Sequence, residues 1–177
     1  MTGNKIKILG ICGSLRPTSS ASAVLNVVGN LFPTHVAFTI YNGIAEIPAF
    51  NDSNEIPVSV DDLIKRITEA DGVFFCIPEY AFGVPGALKN ALDWTVSSTA
   101  FSDKPVALIT AASQGDKAHA ALLLTLFAIG TKIEEGAKLV IPFIRTKLDE
   151  NNQVKDIITM DAITKVVQSF LLAVESV

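Results

Sequence analysis

The stretch GVFFCIPEYAFGVPGALKNALDW, residues 72–94, decides how the chain is read. Gly72–Cys76 is apolar without alternation, as in a strand covered on both faces. Ile77–Pro78 ends that strand, and Pro85 fits the first turn of a following helix. A buried strand that runs through a loop into a helix is the repeating unit of a parallel α/β sheet. The loop itself is unusual. A plain connection has no need of Glu79, Tyr80 and Phe82 before the next element.

The same unit recurs on both sides. KIKILGIC reads as the first strand, followed by a polar loop and a helix with Val24, Val27, Val28, Leu31 and Phe32 on one face. HVAFTIY is the second strand. After the loop NGIAEIPAFNDSNEIP a helix is predicted near Ser59, with two aspartates in its first turn where the helix dipole favours them. KPVALITAA is the fourth strand, DKAHAALLLTLFAIG the fourth helix closed by Gly130, and AKLVIPFI the fifth strand. Ile163, Val166, Val167, Phe170 and Leu171 mark a last helix. The pattern predicts a three-layer α/β fold over residues 1–177, one domain whose five-stranded parallel sheet has the order 2-1-3-4-5 and helices on both faces. Ligands in such folds bind at the carboxyl ends of the strands, around the first and third. The loops after Cys12, Ile77 and Ala111 therefore hold the candidate site.

Composition narrows the classes. The 177 residues are 49% apolar and 18% charged, with a net charge of −4. That balance fits a compact globular protein and argues against nucleic acid or an anionic membrane as partner. No apolar run reaches the roughly 20 residues of a membrane span. The N-terminal MTGNKIKILGIC is too short in its apolar part for a signal peptide, so a cytoplasmic location is expected. Cys12 and Cys76 fall in buried strands, where cysteine acts as a small hydrophobe. Spacing reveals no metal-ligand cluster. His119 reads as a surface or packing residue, and His35 has no partner by spacing.

The first loop, GSLRPTSSAS (13–22), joins a strand to a helix start. Gly13 permits tight backbone geometry, Ser14, Thr18, Ser19 and Ser20 offer hydroxyls, and Arg16 offers a full charge. Capping a helix needs one such hydroxyl; four and an arginine suit a phosphate. The dinucleotide fingerprint and the Walker loop are both absent. Cys12 beside this loop raises a thiolate phosphatase as an alternative, but Arg16 follows Cys12 after three residues rather than five.

The loop PEYAFG can supply a slot for a flat ring at the other end of a phosphorylated cofactor. Pro78 fixes a turn, backbone groups of Glu79 to Phe82 can meet a polar ring edge, and Tyr80 and Phe82 can cover an apolar face. Joined to GSLRPTSS, the string PEYAFGVPGALKNALDW resembles the signature of the NADPH-dependent FMN reductases, flavodoxin-like enzymes that include quinone, chromate and azo-dye reductases. The resemblance extends over most of the chain, through IPAFND and EADGVFFCIPEY. It implies FMN phosphate contacts from Ser14, Arg16, Ser19 and Ser20, and ring contacts from Pro78, Glu79, Tyr80, Ala81 and Phe82. Ala21 and Ala81 stand where family members commonly carry asparagine, which leaves backbone groups to serve at those two positions.

In the third loop, AASQGDKAHA (111–120), Ser113, Gln114 and Gly115 bring backbone donors to the same sheet edge, near the pyrimidine end of the expected ring. Fixed dipoles there would stabilise charge developing on a reduced flavin; an ordinary turn and cap is the plainer reading. The expected activity is hydride transfer from NADPH or NADH through bound FMN to a quinone, azo compound, flavin or similar small acceptor, with no acid–base side chain required. A flavin-binding module without turnover is the alternative. The fourth helix is apolar around its circumference, and with Trp94 it predicts a face for another subunit; the resemblance implies a homodimer or homotetramer.

Overall fold

The computed structural model describes residues 5–53 and 55–177. Five parallel strands, β1 (Ile6–Cys12), β2 (Val36–Tyr41), β3 (Gly72–Ile77), β4 (Val106–Ala111) and β5 (Lys138–Ile141), form one sheet of order β2-β1-β3-β4-β5. The expected parallel sheet and its strand order are met. Register fixes the centre: Cys12 lies beside Cys76 across β1 and β3, and Ile77 beside Thr110 across β3 and β4. The carboxyl ends of the three central strands thus finish level with one another.

Helices α1 (Ser20–Leu31) and α6 (Ile157–Glu175) contribute to the apolar layer on one face. Helices α2 (Val58–Glu69), α3 (Gly86–Asp93) and α4 (Asp116–Ala128) contribute to that on the other. A short α5 (Ile144–Lys147) follows β5. β3 shows why its sequence does not alternate. Phe74 and Cys76 enter the α1/α6 layer, while Val73, Phe75 and Ile77 enter the opposite one, and all five are inaccessible to solvent. Burying each such large apolar side chain contributes about 1.5–3 kcal/mol. The edge strand β5 is only partly covered except at Ile141.

Several local expectations change. Only Asp61 lies in the first turn of α2, because the helix begins at Val58; Asp62 instead pairs with Arg66 one turn on. His35 does have a partner, Glu175 at the end of α6, 3.2 Å away. Trp94 is buried within the chain: its indole N–H donates to the Pro48 carbonyl at 2.9 Å, and its ring meets Phe50 edge-on. It therefore adds nothing to an exposed patch. Asn90 accepts from the Phe50 amide and donates to the Pro48 carbonyl, so two residues of the helix signature hold the IPAF segment in place. One helix, α6, is long and apolar enough to cross a membrane by length and composition, contrary to the sequence expectation. Ile163, Val166, Val167, Phe170 and Val174 of that helix are spent on the core.

Candidate functional site

Four loops meet at the carboxyl edge of the sheet, and hydrogen bonds join each to a neighbour. The β1 loop can pass against β3 because residue 13 is glycine: a Cβ there would fall 2.9 Å from Ile77. The Gly13 amide donates to the Cys76 carbonyl at 2.9 Å, and the Ser14 and Tyr80 hydroxyls lie 3.1 Å apart. The β3 loop is joined to α4 through Glu79. Its carboxylate accepts from the Gly115 amide at 3.2 Å and the Ala118 amide at 2.9 Å. Gly115 takes φ 102°, turning the chain into α4, and a carboxylate at a helix start is favoured by the dipole. Phe143 and Ile144, after β5, donate to the Ser113 and Ala112 carbonyls at 3.1 and 3.2 Å.

Between these loops lies a cavity of about 290 Å³. Of the expected residues, Arg16, Ser19, Ser20, Ala21, Pro78, Glu79, Tyr80 and Ser113 line it. Ser14, Thr18, Ala81, Phe82, Gln114 and Gly115 lie off its lining. A larger hollow of about 670 Å³ opens at the opposite edge, around Lys7, Asp71 and Lys104. Another hollow, of about 750 Å³, lies at the carboxyl end of β2 around Tyr41 and Asn42. Parallel α/β sheets bind at the carboxyl edge where the strand order reverses, here between β1 and β3, which selects the smaller cavity.

The phosphate end has a usable donor set. Ser19 caps α1, accepting from the Ser22 amide at 3.1 Å, while the Ala23 amide bonds the Ser19 carbonyl. Among the described residues, the Ser20 and Ala21 amides find no protein acceptor, and Arg16 enters no ion pair. Two open N–H groups at a helix start, beside an exposed guanidinium, fit a phosphate monoester. Position 21 thus offers its amide even though its side chain is a methyl group.

At the other end, Tyr80 and Gly83 form a two-residue hairpin closed by reciprocal bonds of 3.2 and 2.9 Å. Its central residues, Ala81 and Phe82, have φ of 49° and 59°. This is the backbone of a type I′ turn, which favours Asn-Gly. Asparagine tolerates that conformation, so the alanine at position 81 is a matter of turn backbone as well as of cofactor contact. Phe82 is 70% exposed at the tip, and Tyr80 is 47% exposed. In the third loop the Ser113 and Gln114 amides remain without a protein acceptor among the described residues, whereas that of Gly115 is taken by Glu79. A phosphate group with a flat heterocycle fits these residues: open amides and a cation at one end, exposed aromatics and open amides at the other.

The thiolate reading of Cys12 finds no support in its surroundings, and Cys12 is not among the residues that line the cavity. Burial pushes the Cys12 thiol up, outweighing hydrogen bonds from Ser14 and Ser19, whereas a nucleophile needs it lowered. Cys76, wholly buried next to it, is pushed up further. His119 is held in place rather than poised for chemistry. Its Nδ1 lies 2.9 Å from the hydroxyl of buried Thr110, and burial followed by nearby Lys138 lowers its pKa. Among the described residues no group of three or more His, Cys, Asp or Glu could hold a metal.

The sequence reading missed the fourth wall. Phe143, Ile144, Arg145 and Thr146 line the same cavity. The sole sequence signal was their position after a strand, since every carboxyl-end loop borders the crevice in this topology.

Comparison with known proteins places these features in context. The family described as NADPH-dependent FMN reductase matches residues 6–144. The CrdA subunit of an NADH:(hydroxy)cinnamate reductase from Vibrio ruber is 27% identical over 178 residues, covering 96% of this chain and 87% of that protein. A quinone reductase from Escherichia coli K12 is 32% identical over 117 residues, 63% of this chain and 62% of its own length. Among solved structures, FerB, a flavoenzyme NAD(P)H:(acceptor) oxidoreductase from Paracoccus denitrificans, superposes with a TM-score of 0.83 at 26% identity, covering 96% of this chain and 97% of FerB.

Proposed function

Because this chain belongs to the NADPH-dependent FMN reductase family, we propose that it binds FMN and moves hydride equivalents from NAD(P)H to a small acceptor such as a quinone or a flavin. One observation carries this reading: loops from adjacent strands β1 and β3 line a single cavity, with Arg16, Ser19, Ser20 and Ala21 on one side and Pro78, Glu79 and Tyr80 on the other.

Bound FMN supplies the hydride-accepting and hydride-donating chemistry, so the protein's tasks are positioning and electrostatics. Arg16 and the Ser20 and Ala21 amides would hold the phosphate. The β3 hairpin would border the ring, with exposed Phe82 and Tyr80 offering apolar surface on which a flat substrate could stack. The Ser113 and Gln114 amides offer fixed dipoles to negative charge developing at the ring's polar edge. Glu79 acts through its carboxylate, locking the hairpin loop to the start of α4, and is a positioning residue. No side chain of the cavity is required to exchange a proton with the substrate.

The exposed face of α4, with Leu124 and Phe127 73% and 82% accessible, favours association with a second copy of the chain. A homodimer or homotetramer is the corresponding assignment, and a cytoplasmic location is proposed separately, from the sequence reading.

Steady-state assay with added FMN tests the activity. NADPH or NADH is oxidised when a quinone is supplied. FMN binding with no turnover for either nucleotide and several acceptors would instead favour a binding module.

A further inference from the structure

We propose that Arg145 is a second guanidinium for the FMN phosphate, opposite the Ser-rich loop, so that the β5 end of the sheet belongs to the cofactor site. The inference rests on the FMN reading above and extends it to a residue just beyond the stretch matched by the family, which ends at residue 144.

The position of Arg145 is built into the fold. Ile144 is buried, its amide bonds the Ala112 carbonyl, and the Phe143 amide bonds the Ser113 carbonyl. Phe143 adopts φ 52°, a left-handed conformation that disfavours a bulky side chain and persists only where neighbours hold it. The Phe143 carbonyl accepts both the amide and the hydroxyl of Thr146, at 3.0 and 2.9 Å. The turn therefore delivers Arg145 to the cavity from a fixed platform.

Charge then identifies the occupant. Arg16, Arg145 and one carboxylate, Glu79, line the cavity. Glu79 is engaged by the Gly115 and Ala118 amides, and among the described residues neither arginine forms an ion pair. The other cation of α5 differs: Lys147 is paired with Asp156 at 3.7 Å. Two like charges facing one small cavity repel unless an anion lies between them. A phosphate monoester carries a charge of about −1.5 to −2 at neutral pH, which one guanidinium leaves partly uncompensated. Two forks on one phosphate are geometrically suited to its several oxygens. A quinone or a neutral flavin ring offers Arg145 carbonyl acceptors and a face to stack on, but no counter-charge.

The test is a titration of the full chain with FMN and with riboflavin, which lacks the phosphate, followed by flavin fluorescence at several salt concentrations. Arg145→Gln and Arg145→Lys are compared with the unaltered protein, and KM is measured for NADPH and NADH. Arg145 is exposed, so both variants are expected to fold. Arg145→Gln weakens FMN binding about tenfold or more and flattens its salt dependence, with riboflavin unaffected. Arg145→Lys restores part of the loss, because the charge returns without the fork. Unchanged FMN affinity in Arg145→Gln overturns the inference while leaving the FMN reading intact. Equal losses for FMN and riboflavin overturn it too, since the effect is then not on phosphate. A raised KM for NADPH alone, with FMN binding unchanged, moves Arg145 to the nucleotide's 2′-phosphate and also overturns it. Failure of the unaltered protein to bind FMN at all overturns both readings together.

Discussion

Replacing Ala81 by asparagine should stabilise the protein, and the reason lies in two dihedral angles. The hairpin Tyr80–Gly83 is a tight turn whose central residues both have positive φ, 49° at Ala81 and 59° at Phe82. An L-residue with a Cβ held there costs about 1–2 kcal/mol, and asparagine relieves part of this through local hydrogen bonding. Ala81 is exposed, so its methyl group contributes little packing that the substitution would sacrifice. A net gain of about 0.5–1 kcal/mol follows, which in a protein of this size raises Tm by about 1–4 °C. Thermal unfolding followed by circular dichroism, without added FMN, measures it. Ala81→Val is the opposing arm, because a β-branched residue is strongly disfavoured at positive φ; its Tm should fall. Were Asn neutral or harmful, or Val tolerated, the turn would not have the backbone described here.

Glu79→Gln leaves one of the buried Gly115 and Ala118 amides facing an NH2 group instead of an oxygen. Denaturant titration should show a loss of about 1–3 kcal/mol, and unchanged stability would remove Glu79 as the clamp between β3 and α4. For His119, the folded pKa lies below the ordinary 6.5. The unfolded chain therefore takes up its proton first, and stability is lost as pH falls through 6.5 toward the folded value, with no contribution well above it. Tm measured from pH 7.5 to 5 should decline less in His119→Gln than in the parent; parallel curves would reject the assignment. Asn90→Ala frees the Phe50 amide and the Pro48 carbonyl, so limited proteolysis should cut near residues 48–50 sooner, and an unchanged digestion pattern would count against that role. Introducing Glu at Leu124 and Phe127 should leave the circular dichroism spectrum of the fold unchanged yet shift sedimentation toward monomer. An assembly that survives both changes does not use this face of α4.

The sheet was legible because each strand is apolar on both sides and is followed by a helix; β3 and β4 are buried at every position. The site's two principal loops were legible because a Ser-rich, Arg-bearing turn and an aromatic one stand at strand ends. What escaped was long-range pairing. That His35 meets Glu175, that Trp94 turns inward to Pro48, and that the Glu79 carboxylate caps a helix 36 residues away are consequences of tertiary placement. Arg145 escaped for a different reason. The segment after β5 carries no motif, and only the sheet order brings it to the cavity. The asparagine missing at position 81 read as a lost polar contact, whereas the positive φ of residue 81 makes it a matter of turn conformation.

The central claim is that the β1 and β3 loops grip one FMN. Calorimetric titration of the purified chain with FMN, paired with a thermal melt, tests it most directly. The account predicts saturation at one FMN per chain. With FMN a hundredfold above Kd, the stabilisation is about 2.7 kcal/mol, a rise in Tm of about 5–10 °C. No heat of binding and an unmoved melting temperature at saturating FMN would contradict it.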